Sequence, residues 1–251
     1  MNYTGMLQKT TDSLRGQVAV VTGSSSGIGR SIALELAKCG VSLCLVGRRA
    51  EALREVVEIA GELKDRVECY QIDLDVDREL LDLSLRIRRD FGQVDILVHS
   101  AGVISLGRLE SAPIGDFDRQ YRTNVRAPYL LTQSLLPLLR IRPGQVVFIN
   151  STAGLSASSA NGQYSATKHA LKAVAESFRH EVNAEGIRVL SVYPGRTATP
   201  MQEVIFNLEE MEYRPEHLIK PEQIASLVIH TLMLPRDIEV TDIMTRPLTK
   251  I

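Results

Sequence analysis

Neither sign of charge predominates in this sequence: 29 basic side chains stand against 30 acidic ones, for a formal net charge of −1. That balance leaves no cationic footprint for a nucleic acid and no polybasic patch for a membrane surface. No stretch approaches the roughly 18 consecutive apolar residues of a membrane span. Residues 1–15 are polar and lack the apolar centre of a signal peptide, so a cytoplasmic protein is expected. Cysteine is scarce. Cys39, Cys44 and Cys69 form neither a CxxC motif nor a zinc knuckle, and their apolar surroundings suit small buried residues. Neither a disulfide framework nor a metal site is expected. Internal repeats, low-complexity blocks and linkers are absent.

What is present is an ordinary globular composition, 44% hydrophobic and 24% charged over 251 residues. A chain of this length can bury roughly three quarters of its unfolded surface in one core, and one large domain, 1–251, is more economical than two small ones. Val/Ile/Leu runs at 18–21, 41–46, 67–72, 94–98, 146–149, 189–192 and 238–243 alternate with helix-period segments. Those segments are 28–39, 50–63, 77–91, 116–139, 163–183 and 221–234, and Gly40, Gly92 and Gly186 follow three of them as expected of C-terminal caps. Strands apolar at nearly every position belong to parallel sheets covered on both faces. The alternation predicts a doubly wound α/β fold, a mainly parallel seven-stranded sheet with helices on both faces. Segment 196–220 has no strong periodicity and is punctuated by Pro200, Pro215 and Pro221, with Met201, Phe206 and Met211 among charged residues. A loop this long is usually functional, and here it is expected to fold as a lid over the carboxyl edge of the sheet, where such folds bind ligands.

The first strand runs into Thr22-Gly23-Ser24-Ser25-Ser26-Gly27-Ile28-Gly29 and then a helix. Three glycines bring bare backbone close to a ligand, and the helix start directs N–H groups and the positive end of its dipole at a pyrophosphate. The Gly-x3-Gly-x-Gly spacing differs from the common dinucleotide fingerprint, but its place between strand and helix supports the same use. Strand two ends in Gly47-Arg48-Arg49 with no acidic residue at its tip. An acidic residue there would favour NAD, whereas arginine accommodates the 2′-phosphate of NADP. Arg48 is assigned that role and NADP(H) is the expected cofactor; Arg49 reads rather as the start of a solvated helix.

Tyr164-Ser165-Ala166-Thr167-Lys168 places a tyrosine and a lysine one turn apart on one helix face. A free tyrosine, with a pKa near 10, is a poor base at neutral pH, and a nearby ammonium can lower it. Ser151 follows strand five, at the same edge as the glycine loop. Asn124 lies on the preceding long helix with Pro128 four residues on, which removes the N–H that would bond the residue-124 carbonyl and frees it to hold a water.

With these residues in order, the chain resembles the short-chain dehydrogenase/reductase family, in its compact branch of about 250 residues, from Gln17 to Pro247. The resemblance rests on the Thr22–Gly29 loop, Asp73, Ala101-Gly102, Asn124, Ser151, Tyr164, Lys168 and the Pro194-Gly195 turn. It implies a Rossmann-like fold and an oxidoreductase acting on a carbonyl or secondary alcohol. Tyr164 would be the general acid/base, and Lys168 would lower its pKa and bind the nicotinamide ribose. Ser151 would orient the substrate oxygen, and Asn124 would maintain a water-linked proton relay. Cofactor contacts are implied at Gly23, Ser24, Ser26, Gly27, Ile28, Gly29, Arg48, Arg49, Asp73, Leu74, Ser100, Ala101, Gly102, Tyr164, Lys168, Pro194, Gly195, Thr197 and Thr199.

Two departures stand out. His99-Ser100 occupies the place of the family's usual Asn-Asn, and His99, after a buried strand, reads as structural rather than catalytic. Arg196, in Pro194-Gly195-Arg196-Thr197-Ala198-Thr199, faces either an anionic substrate or solvent. Substrate contacts are expected from 153–161 and 196–220, where Leu155, Ala157, Met201, Val204 and Phe206 suggest an apolar or mixed pocket. Alternatives are a dinucleotide-binding sensor or scaffold without turnover, and a sugar-nucleotide epimerase or dehydratase. Leucines 130, 131, 135, 136, 138 and 139, with Ala166, Ala170 and Ala173, suggest a helix face for a homodimer or homotetramer.

Overall fold

The structure, a computed structural model, describes residues 12–62 and 66–248. The polar N-terminal stretch as far as residue 11, and Leu63 at the expected end of the second helix, lie outside them. Seven strands form one sheet: β1 (Val18–Thr22), β2 (Ser42–Gly47), β3 (Val67–Gln71), β4 (Ile96–His99), β5 (Gln145–Ile149), β6 (Arg188–Pro194) and β7 (Asp242–Thr245). Their order is β3-β2-β1-β4-β5-β6-β7 and every pairing is parallel. The order reverses at β1 and β4, and the crevice there is where such sheets bind ligands.

Period-two alternation divides the strand side chains between two cores. Ala19, Val21, Leu43, Leu45, Ile96, Val98, Leu190 and Val192 meet α1 (Gly27–Lys38), α2 (Ala50–Gly61) and a later helix through Ile32, Leu36, Val56, Ile224 and Val228. Val18, Val20, Cys44, Val46, Leu97, Phe148 and Val189 face the other way. There they meet α3 (Asp77–Phe91), α5 (Ala127–Leu139) and α6 (Gly162–Val182) through Leu80, Leu83, Ile87, Leu131, Leu135, Leu171 and Phe178. Cys39 and Cys44 are buried, Cys69 is half-buried, and all three are free.

The structure revises several expectations. The helix expected over 116–139 is three pieces: α4 (Ile114–Tyr121), a π-helical turn (Arg122–Arg126) closed by Ala127 N–H on the Arg122 carbonyl, and α5, with Pro128 at its start. Leu131, Leu135, Leu138 and Leu139 are buried in the chain's own core, and Leu130 and Leu136 pack against it, so these leucines do not form a free face. Segment 196–220 is not irregular. Thr199 caps α7 (Pro200–Leu208) by accepting the Gln202 N–H, and Gln202, Ile205 and Phe206 turn inward; the chain then makes a short 3-10 turn before α8 (Pro221–Leu232). The seventh strand lies at Asp242–Thr245, four residues beyond the expected start at 238. The reason is Arg188, whose guanidinium takes the carbonyls of Leu234, Pro235 and Ile238 and holds that stretch out of the ladder.

Candidate active site

β1 ends at Thr22, whose hydroxyl oxygen accepts the N–H groups of Ser100 and Ala101 at 3.1 and 3.2 Å, fixing the end of β4 beside the glycine loop. Gly23 has φ +67, and a Cβ there would lie 2.8 Å from the Ala101 backbone. A Cβ on Gly29 would lie 2.5 Å from the Gly23 carbonyl and 3.1 Å from the Ser100 hydroxyl. Ser100, standing where the family has an amide, therefore packs against the helix start. Gly27, at φ +54, is backed by the Thr199 methyl, 3.0 Å from where its Cβ would be. Ser26 is the N-cap of α1, yet its side chain makes no capping hydrogen bond, and the first turn carries no acidic residue. The first-turn N–H groups of Gly27, Ile28 and Gly29 thus form an uncapped, side-chain-poor cradle suited to a pyrophosphate. A nicotinamide dinucleotide fits these residues.

Other predicted cofactor residues divide by exposure. Ser24 is fully buried with its hydroxyl on the Val46 carbonyl, so it ties the loop to β2 rather than facing a ligand. Arg48 is exposed and makes no hydrogen bond or ion pair with the described residues, whereas Arg49 reaches the Ser25 hydroxyl at 3.4 Å. Of the two arginines, the one read as solvated touches the glycine loop. Asp73 accepts the Asp75 N–H and gives its own N–H to Glu79, while Leu74 is buried in the core. Pro194 ends β6, and the Gly195 N–H bonds the Thr245 carbonyl. Thr197 is buried and donates to the Gly195 carbonyl, and Ala198 bonds Ile219. Arg196 faces neither an open pocket nor solvent alone: it pairs with Glu209 at 2.7 Å and stacks 4.8 Å over the Phe206 ring. Phe206 is fully buried and does not line a pocket.

The chemical residues converge at the carboxyl edge of β5. Ser151 accepts the Ala153 N–H with its hydroxyl. Lys168 is 3% exposed and its ammonium donates to the Ile149 carbonyl at 3.1 Å. Asn124, fully buried, clasps the Val103 backbone with both ends of its amide and also donates to Thr167. Gly102 completes the group, since a Cβ there would lie 3.4 Å from the Asn124 amide oxygen and 3.9 Å from the Lys168 ammonium. The ammonium sits 5.7 Å from the Tyr164 ring centroid.

The expected lowering of Tyr164 does not hold in the chain alone. Burial pushes the phenol up to about 12, against a hydrogen bond from Ser151 that works the other way. Burial also pushes the Lys168 ammonium down to about 8. His99 is buried, stacked on Phe148 and bonded to the Thr132 hydroxyl at 2.8 Å. Desolvation lowers its pKa to about 3 and keeps the ring neutral.

Sequence reasoning missed Asn150. Its amide donates to the Lys168 carbonyl at 3.1 Å and accepts the Ser151 N–H at 2.9 Å, so adjacent residues 149 and 150 grip Lys168 at both ends. The available signal was an amide side chain closing an otherwise apolar strand. Gly154 makes room for this grip: a Cβ there would lie 2.6 Å from the Asn150 amide oxygen and 2.9 Å from the Lys168 carbonyl. Gly154→Ala is therefore expected to lower kcat about 10- to 100-fold by displacing Lys168 and Ser151, with dinucleotide affinity little changed. An unchanged kcat in steady-state assay would contradict this geometry.

Residues 17–210 match the family model described as short chain dehydrogenase. An uncharacterised oxidoreductase of Staphylococcus epidermidis is 31% identical over 235 residues, covering 93% of this chain and 98% of that one. Among solved structures, an Escherichia coli chain described as a short chain dehydrogenase and complexed with NADPH superposes with a TM-score of 0.84 at 28% identity, over 93% of this chain and 98% of that one. An alcohol dehydrogenase from the archaeon Thermococcus sibiricus, complexed with 5-hydroxy-NADP, gives 0.86 at 26% identity over 94% and 98%.

Proposed function

The chain belongs to the short-chain dehydrogenase family, and on that premise we propose that it is an NADP(H)-dependent oxidoreductase interconverting a carbonyl compound and a secondary alcohol. The observation that carries the reading is the meeting of Ser151, Tyr164 and Lys168 at the sheet edge beside the glycine cradle. When bound, the nicotinamide supplies or accepts the hydride. The protein does the rest. Tyr164 gives a proton to the carbonyl oxygen during reduction or takes one from the alcohol during oxidation, and Ser151 holds and polarises that oxygen. Lys168, gripped from residues 149 and 150, presents its ammonium to the nicotinamide ribose and the phenol. Asn124 anchors segment 102–103 and keeps the relay behind Lys168. Gly23, Gly27 and Gly29 leave room for the pyrophosphate, Asp73 flanks the adenine, and the Pro194–Thr199 turn flanks the carboxamide.

Arg48 supports the choice of NADP: its charge is unpaired among the described residues and stands at the tip of β2, where the adenosine ribose of such folds lies. The same reading places the enzyme in the cytoplasm as a homodimer or homotetramer, with the exposed Ala166 and Ala173 of α6 supporting a close helix contact.

The test is NADPH consumption with a panel of ketones, quinones, steroids, sugars and 3-oxoacyl thioesters. Arg48→Asp is expected to raise the KM for NADPH about 10- to 100-fold, the worth of a charge-assisted phosphate contact, and to leave that for NADH little changed. Equal effects on both cofactors would overturn the NADP assignment.

A further inference from the structure

The walls beside Tyr164 carry a pattern that the family assignment does not supply. Residues 100–107 read Ser-Ala-Gly-Val-Ile-Ser-Leu-Gly, and residues 151–163 read Ser-Thr-Ala-Gly-Leu-Ser-Ala-Ser-Ser-Ala-Asn-Gly-Gln, with no ionisable side chain in either. The structure fastens the two together. The Gly107 N–H donates to the Ala160 carbonyl at 2.7 Å. The fully buried Gln120 accepts the Ser105 N–H and donates to Gln163, the residue before Tyr164. Gln163 donates in turn to the Pro113 carbonyl. Segment 103–107 is thus a fixed wall next to the helix that carries the phenol, presenting half-buried Val103, Ile104 and Leu106, and Leu155 stays 41% exposed on the opposite segment.

Neither wall carries a cation, and the two cations flanking them, Arg196 and Lys168, are engaged. Arg196 pairs with Glu209 and lies on Phe206, so its charge already has a counter-charge, and its remaining Nη1 is buried without a hydrogen-bond partner. Lys168 is buried and bonded to the Ile149 carbonyl. On α7 the one charged residue is Glu203, exposed and of the wrong sign for an anion, beside the exposed Met201 and Val204. A carboxylate or phosphate entering here loses its hydration without gaining a counter-charge, and that cost is far larger than for a neutral group. An apolar body meets Ile104, Leu106 and Leu155 instead.

We propose that the substrate of this site is an uncharged carbonyl compound with an apolar body, or the matching secondary alcohol, and that anionic substrates are excluded. This rests on the oxidoreductase reading. The experiment compares the methyl ester with the free acid on each of two skeletons, acetoacetate and 4-oxocyclohexanecarboxylate, as substrates of the purified full-length protein with NADPH. The esters are expected to exceed the acids in kcat/KM by at least about 100-fold, the penalty of an unpaired carboxylate. Leu155→Arg, at an exposed position, is expected to narrow that ratio at least about tenfold by raising the value for the acids. Acids used as well as or better than esters by the wild-type protein would overturn the substrate class while leaving the oxidoreductase reading intact. No turnover of either form, or of any member of the carbonyl panel, would overturn both.

Discussion

Tyr164→Phe is expected to lower the turnover of any carbonyl substrate by roughly 10²–10⁴-fold, the usual contribution of a positioned general acid, while NADPH binds nearly as before. The substitution keeps the ring and its packing beside the Lys168 ammonium and removes only the oxygen that carries the proton. Direction also follows from the ionisation states. With the phenol at about 12, Tyr164 holds its proton throughout the neutral range and is ready to give it up in carbonyl reduction. Lys168, lowered to about 8 by burial, is an ammonium below that pH and a neutral amine above it. For reduction, kcat/KM should therefore be level through neutral pH and fall along a limb centred near pH 8, as the positive charge beside the phenol is lost. Near wild-type turnover in the phenylalanine variant would remove Tyr164 from the chemistry. A flat profile to pH 10 would remove the charge on Lys168 from it.

Arg188→Met is expected to cause the largest loss of stability, at a position remote from any chemistry. The Arg188 side chain, 9% exposed, bonds the Gln145 amide oxygen through two nitrogens and the carbonyls of Leu232, Leu234, Pro235 and Ile238. It closes the C-terminal end of α8 and steers the chain to β7. Methionine fills similar volume but donates nothing, leaving the buried Gln145 amide oxygen and the part-buried carbonyls of Leu234, Pro235 and Ile238 without this donor, at about 1–3 kcal/mol for each acceptor that water does not reach. A net loss of about 4 kcal/mol would lower Tm by about 10 °C in a chain of this size. A shift of less than about 3 °C in a thermal melt would show that water or repacking satisfies those carbonyls.

How much of this could be read from residues alone depended on the range of the interaction. The five inner strands announced themselves because both faces are buried, so apolar residues run unbroken, as at Val18–Val21; β3, at one edge, lies within one residue of its expected run although it is largely exposed or half-buried. The seventh did not, because as an edge strand it alternates exposed and half-buried residues, and a guanidinium about 50 positions away in the chain decides where it starts. The glycine cradle and the Ser151, Tyr164 and Lys168 set were legible because their chemistry demands particular residues at short spacing. Helix α7 was misread although Thr199-Pro200 is a sound capping signal, because three prolines and scattered charges masked a stripe of only Gln202, Ile205 and Phe206. Arg196 could not be settled in advance, since its fate turns on Glu209, 13 residues away. Gln120 was invisible, and Asn150 showed only as an amide closing an apolar strand, for a related reason: an amide declares no role until its partners are brought to it.

The grip on Lys168 has a bearing on how the molecule comes into being. Its two ends, Ile149 with the ammonium and Asn150 with the carbonyl, are only 19 and 18 positions from the lysine along the chain. A loop that short loses little entropy on closing. One strand–helix unit can thus assemble the proton-transfer apparatus from neighbouring sequence, ahead of the long-range pairing that joins β1 to β4 across 77 residues.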